Sequence, residues 1–279
     1  MTYLLPSSLE EALTSLSEGD YTILAGGTDL YPAANGRPVK GPVIDLSGLK
    51  DFRGVYREEG GYRIGGLTTW TDIALGDLPA QFEALQMAAR EVGSIQIQNV
   101  GTIAGNLCNA SPAADGVPAL LALNAEVELT SLNGIRRLPL DRFILGNRRT
   151  AIASNELLSA VIIPDDVGRC ASHFLKLGAR RYLVISIVMV AAVIELGGNG
   201  LISDARIAVG ACSEVAQRLP DLERVLVGRD PRTATELVQA DHFEGLSPIT
   251  DVRASAEYRE AAAIEMVRRV VSVCGEKLS

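Results

Sequence analysis

The sequence predicts an α+β fold: two lobes of mixed helix and strand, then a third lobe with an antiparallel sheet and helices. Three observations point there. Helical and strand-like segments are interleaved through the first 165 residues, with no internal repeat. Two apolar β-rich runs, 185–196 and 201–209, are separated by Gly197-Gly198-Asn199-Gly200, a strong hairpin signal. The chain then ends in a helical tail. The expected lobes cover residues 1–57, 58–165 and 170–279, with a linker at 165–168.

The elements follow in order. Leu9, Ala12, Leu13 and Leu16 form an apolar helical stripe behind Ser7 or Ser8 as N-cap, with Glu10 and Glu11 in the first turn. Residues 21–25 read as a strand running into Gly26-Gly27, and residues 43–46 as another, ended by Ser47-Gly48. Residues 62–66 are apolar at alternate positions, as in a half-buried strand. Residues 78–92 carry helical spacing at Phe82, Leu85, Met87, Ala88 and Val92. After an apolar segment at 117–123, residues 125–129 read as a strand turned by Asn133-Gly134, and residues 157–163 as a strand stopped by Pro164. Helices are expected at 220–227, 233–240 and 254–274.

Composition narrows the function. With 26 basic and 34 acidic residues the formal charge is −8, and no basic cluster exceeds two adjacent arginines. Such a chain lacks the electrostatic footprint for nucleic acid or anionic membranes. The most apolar run, 182–196, is broken by Ser186 and Glu195 and falls short of the ~20 residues that span a bilayer. The N-terminus has no basic region or apolar segment suited to export. Cys108, Cys170, Cys212 and Cys274 are scattered without Cys-x-x-Cys spacing, which suggests reduced thiols in a cytoplasmic protein and no iron–sulfur or zinc cradle. His173 and His242 have no second likely ligand beside them, so neither a metal site nor a histidine-based triad is expected.

Two segments are dense in small hydrogen-bonding residues. The first is Ile23-Leu24-Ala25-Gly26-Gly27-Thr28-Asp29-Leu30. Consecutive glycines after a strand either make a tight turn or leave backbone N–H groups open to a pyrophosphate. Thr28 adds a hydroxyl donor, and Asp29 could accept from a ribityl or ribose hydroxyl. The segment is not a Gly-x-Gly-x-x-Gly fingerprint, so a Rossmann fold has no support. The second is Gly101-Thr102-Ile103-Ala104-Gly105-Asn106-Leu107-Cys108-Asn109-Ala110-Ser111-Pro112-Ala113-Ala114-Asp115, with two hydroxyls, two side-chain amides and an acid within fifteen positions. It reads either as a capped loop leading into a helix at Ser111-Pro112, or as a second phosphate-approach loop. Two such loops suggest a diphosphate held in a cleft between lobes.

These motifs, in this order, resemble the FAD-binding medium subunit of the xanthine dehydrogenase and carbon monoxide dehydrogenase family of molybdenum hydroxylases. Ala25 to Asp29 match the family's Ala-Gly-Gly-Thr-Asp loop, and Thr102 to Asn106 its Thr-(Ile/Val)-Gly-Gly-Asn loop except at Ala104. Ser111 to Asp115 match Ser-Pro-x-x-Asp. Further similarity runs through Val43-Ile44-Asp45-Leu46, Ile64-Gly65-Gly66-Leu67-Thr68-Thr69, Leu157-Leu158-Ser159, Phe174-x-Lys176-x-x-x-Arg180 and Ser255-Ala256-Glu257-Tyr258-Arg259, so it covers essentially the whole chain.

The resemblance implies a two-lobed FAD-binding fold of the vanillyl-alcohol-oxidase/PCMH type plus the C-terminal lobe. It implies FAD contacts from Ile23, Leu24, Ala25, Gly26, Gly27, Thr28, Asp29 and Leu30, and from Thr102, Ile103, Ala104, Gly105 and Asn106. Asp115 would hydrogen-bond the cofactor, Leu158 would lie at the flavin ring, and Lys176 would reach the ring from the C-terminal lobe. Ala104 stands where the family has glycine; at a positive φ it would cost about 1 kcal/mol and set a methyl near the diphosphate. The implied partners are a large molybdopterin-binding subunit and a small subunit with two-iron two-sulfur clusters, in a dimer of heterotrimers. Electrons would run from those clusters through FAD to NAD+, a quinone or O2, with no catalytic side chain in this chain. Relatives that reduce 4-hydroxybenzoyl-CoA carry an extra cysteine-rich loop for a four-iron cluster; residues 115–139 hold no cysteine, so that cluster is expected to be absent. A stand-alone FAD-dependent oxidoreductase of the same fold, and a scaffold that has lost FAD, are the competing readings.

Overall fold

A computed structural model describes residues 3–165 and 167–279. Met1, Thr2 and Asp166, which fall in the N-terminal segment and the expected linker, lie outside the described residues. The first lobe consists of β1 (Tyr3–Leu4), α1 (Leu9–Glu18), β2 (Thr22–Leu24), α2 (Leu30–Ala34) and β3 (Val43–Asp45). The central β3 runs parallel to both β1 and β2. Ser8 caps α1 by accepting from the Glu11 amide, and Ala12, Leu13 and Leu16 bury one face of the helix in a small core with Ile44.

The second lobe begins with β4 (Val55–Glu58), β5 (Gly61–Gly65), α3 (Trp70–Leu75), α4 (Glu83–Glu91), α5 (Ile95–Val100), α6 (Ile103–Asn109) and α7 (Gly116–Ala122). It continues through β6 (Glu126–Ser131), β7 (Gly134–Pro139), α8 (Leu140–Phe143), β8 (Ile144–Gly146), β9 (Arg149–Thr150) and β10 (Leu157–Pro164). Its antiparallel sheet has the order β4-β5-β10-β6-β7. A register shift between Leu158 and Ala160 bends β10, and the consecutive Leu157 and Leu158 both reach the cleft described below. Glu128 is buried in this sheet and accepts from Arg63 at 2.7 Å, Arg137 at 3.0 Å and Ser159 at 2.9 Å.

The C-terminal lobe comprises β11 (Arg169–Leu177), β12 (Val188–Leu196), β13 (Ile202–Gly210), β14 (Gln217–Arg218), α9 (Pro220–Leu226) and α10 (Ala256–Leu278), with its strands antiparallel in sequence order. The β12–β13 hairpin turns through Gly200 at φ +76°. Strand β12 shows why the sheet is apolar on both faces. Met189, Ala191 and Val193 join the core of the second lobe, whereas Val190, Ala192 and Ile194 join a core under α10. Along α10, Ala263, Met266, Val267, Val270, Val271 and Cys274 recur at helical spacing against that second face.

Residues 117–123, read only as an apolar segment, belong mostly to a helix, α7, buried throughout. Three expectations change. The strand expected at 185–196 starts only at Val188; Tyr182, Leu183 and Ile185 are exposed in the connection from β11. The helix expected at 233–240 is replaced by two short 3-10 turns, Ala234–Leu237 and Ala240–Phe243. No helix starts at Ser111-Pro112, because Ala110 takes a left-handed conformation that ends α6 and the next helix begins at Gly116.

Candidate functional site

The apolar β2 delivers the chain into the turn before α2. Gly27 has φ +69°, a conformation that glycine adopts without strain. Gly26 is needed for a different reason. A Cβ there would strike the Val100 carbonyl and lie 2.9 Å from the Gly101 Cα, so the two lobes meet backbone to backbone at this point. Among the described residues, the amides of Gly26, Gly27 and Thr28 have no acceptor, and the Asp29 side chain makes no cap to α2. The loop therefore presents a run of open donors.

The second glycine-rich segment is built otherwise. Thr102 is the N-cap of α6 and its hydroxyl accepts from the Gly105 amide at 3.1 Å. The Ile103 and Ala104 amides donate to the carbonyls of Thr68 and Gly66, both at 3.0 Å. The first turn of α6 is thus satisfied within the protein, and the segment meets the cleft with side chains and a helix flank, not as an open amide loop. Ala104 is helical and not in the left-handed region, so the strain expected of it does not arise. Its methyl packs on Gly66, where an added Cβ would lie 3.2 Å away.

A cavity of about 620 Å³ lies between these segments, a volume typical of sites for organic cofactors and ligands. Of the expected contacts, all but Ile103, Asp115 and Lys176 line it. Ile103 is fully buried in the core of the second lobe. Asp115 and Lys176 are brought together, but with each other. Lys176 Nζ donates to Asp115 Oδ2 at 2.7 Å and to the Glu91 carbonyl at 3.0 Å, while Ser186 Oγ donates to Asp115 Oδ1 at 2.6 Å. Burial pushes the Asp115 carboxyl above the usual carboxylate range, opposed by the adjacent Lys176 cation.

The wall also contains residues that no motif announced. Phe52, Trp70 and Ile97 come from separate elements, and their apolar character is ordinary for core positions. Arg148, likewise unannounced, lines the cavity at the far end of α6 beside Cys108 and Asn109 of the second segment. One signal could have exposed the element carrying Trp70: Thr69 and Asp72 form a capping box at the start of α3.

The residues suit a dinucleotide such as FAD. Open amides in the first loop can take a diphosphate, and apolar walls can enclose an aromatic ring system. Asn106 lines the cavity with a buried Oδ1 that lacks a partner among the described residues. A buried acceptor of that kind is costly unless a donor completes it.

Comparison with known proteins agrees with this fit. Residues 1–166 match the family described as the FAD binding domain in molybdopterin dehydrogenase, and residues 173–273 the CO dehydrogenase flavoprotein C-terminal domain. The chain is 36% identical to the nicotinate dehydrogenase FAD-subunit of Eubacterium barkeri, covering 80% of this chain and 78% of the relative. It is 34% identical to the nicotine 6-hydroxylase medium subunit of Paenarthrobacter nicotinovorans, covering 99% and 97%. Its structure superposes on reconstituted CO dehydrogenase from Oligotropha carboxidovorans with a TM-score of 0.90 at 27% identity, covering 99% and 98% of the two chains. Whole-length similarity in both sequence and fold, converging on a cleft with these donors, shows that the chain belongs to the FAD-binding subunits of the molybdenum hydroxylase family.

Proposed function

We propose that the chain is the electron-transfer subunit of a heteromeric hydroxylase, working in the cytoplasm. Its partners are a large molybdopterin-binding subunit and a small subunit with two-iron two-sulfur clusters, arranged as a dimer of heterotrimers. Electrons arrive from those clusters and leave to NAD+, a quinone or O2. FAD supplies the redox chemistry. The observation that carries this reading is the cleft itself, with the open amides of Gly26, Gly27 and Thr28 on one side and the partnerless Asn106 acceptor on the other. Names of relatives such as the CO dehydrogenase medium chain of Hydrogenophaga pseudoflava, which is 28% identical, support the role of one chain among several.

The protein's own residues bind, orient and exclude water. Residues 1–57 supply the diphosphate loop, residues 58–165 the α6 flank and Leu158 beside the flavin ring, and residues 170–279 brace the second lobe. Ile103, Asp115 and Lys176 act from behind the wall, fixing α6 and the start of α7. The test is FAD uptake by the purified chain, followed by visible absorbance and by quenching of flavin fluorescence. Wild type takes up about one FAD per chain. Gly26→Ala binds at least tenfold more weakly, because its methyl forces the loop away from Val100. A wild-type chain that remains colourless in excess FAD overturns the proposal.

A further inference from the structure

The cleft wall holds a thiol. Of the four cysteines only Cys108 is exposed; Cys170 is half-buried, and Cys212 and Cys274 are buried. Cys108 lies in the last turn of α6 and lines the cavity between the two lobes. Although solvent reaches it, the protein around it pushes the thiol up to about 12. A side chain that is open to solvent and yet desolvated by protein on most sides belongs to a concave wall.

Two further observations mark the same cleft as a surface for a ligand. Asn106, two residues before Cys108, also lines the cavity, and its buried Oδ1 has no partner among the described residues. Across the cleft, the amides of Gly26, Gly27 and Thr28 are open. A dinucleotide that fills the cavity covers the stretch of wall at Cys108 whichever of its two halves lies there.

We propose that Cys108 is a modification site controlled by the cofactor: in the empty chain it takes up small conjugated carbonyl compounds, bound FAD shields it, and the adduct keeps FAD out. The proposal rests on the reading that FAD occupies this cleft. Apolar walls from Phe52, Ile97 and Leu158 suit an apolar electrophile. In the reaction the Cys108 Sγ bonds to the β-carbon of the electrophile, the carbon–carbon π bond breaks, and the thiol proton ends on the α-carbon. No oxidant or reductant is consumed. The thiolate is the attacking form, so the desolvated thiol reacts slowly. Raising it from 9.0 to about 12 cuts the thiolate fraction roughly a thousandfold, but a more basic thiolate is the better nucleophile, and the net rate falls only some tens of times. The site therefore marks chains that stay empty for long and spares those that are loaded promptly.

The test uses N-ethylmaleimide on the purified chain, with each cysteine followed by mass spectrometry of its peptide. Without FAD, Cys108 is labelled about tenfold or more faster than Cys212 or Cys274. Saturating FAD slows Cys108 about tenfold or more and leaves Cys170 within about twofold. The adduct weakens FAD binding about tenfold or more, read by quenching of Trp70, the single tryptophan, which also lines the cavity. Treating Cys108→Ala with the same reagent leaves that variant's own FAD affinity unchanged, which assigns the effect to Cys108. The proposal is overturned, while the cleft reading stands, if a chain that holds FAD is labelled at Cys108 as fast as an empty one. An equal slowing of all four cysteines, or full FAD binding by the labelled chain, overturns it as well. If the wild-type chain takes up no FAD, the cleft reading falls and this one with it.

Discussion

Replacing Ala104 by glycine would restore the residue that the resemblance expects there, and the structure predicts that this makes the protein worse. Ala104 is the second residue of α6, and its methyl is buried against Gly66. Removing a buried methyl loses about 0.8 kcal/mol of transfer free energy. Glycine also adds backbone freedom to the unfolded chain, worth up to about 1 kcal/mol in a helix interior and less in a first turn. The sum is a loss of about 1–1.5 kcal/mol, which lowers the melting temperature by a few degrees for a chain of this length. FAD affinity stays within a few-fold of wild type, because the Ala104 amide is already bonded to Gly66 and offers the cofactor nothing new. Calorimetry of the FAD-free chain and fluorescence titration of Ala104→Gly measure both quantities. If alanine were strained at this position, the substitution would instead raise the melting temperature and tighten FAD. Either result refutes the helical account of this segment.

Two further outcomes follow from buried charges. Lys176→Met leaves Asp115 buried without its cation and costs about 3–5 kcal/mol by urea unfolding at neutral pH. Burial already raises the Asp115 carboxyl above its unfolded value, so its favourable contribution is complete below that value and is lost as pH rises through the folded one. The deficit of Lys176→Met therefore shrinks as the pH falls toward 4, and a deficit independent of pH would contradict the ion pair. Glu128 behaves in the opposite sense. Burial pushes its carboxyl up, but donors from Arg63, Ser159 and Arg137 outweigh burial and bring it down to about 2. The resulting stability, at most about 3 kcal/mol, is present above about pH 4.5 and disappears as the pH falls toward 2. Glu128→Gln flattens the pH dependence of unfolding across that window, and a wild-type slope there in the variant would assign the acid sensitivity elsewhere.

The elements most legible in the sequence are those whose signal is local. The α1 stripe, the Gly197–Gly200 turn and the α10 periodicity each depend on neighbours within a few residues, and each forms as its pattern dictates. Elements whose identity depends on distant packing were harder to read. Residues 182–185 are as apolar as the strand that follows, yet they lack a second layer to bury them. For the candidate site, the first loop was visible because two glycines announce a backbone requirement. The helical state of 103–106 was hidden, since its first two amides are completed by Thr68 and Gly66, more than thirty residues earlier. Arg148 gave no warning at all. Its left-handed backbone is imposed by a bond to Ala110, and arginine carries no composition signal for such a turn.

The three cores differ greatly in extent. The second lobe and one face of the C-terminal sheet share a single apolar interior, while the first lobe has only a small cluster around Ala12, Leu13, Leu16 and Ile44. The first lobe is therefore held by far less buried apolar surface than the rest of the chain. A ligand that touches both sides of the cleft adds its binding free energy to the native state, and so to holding that lobe in place.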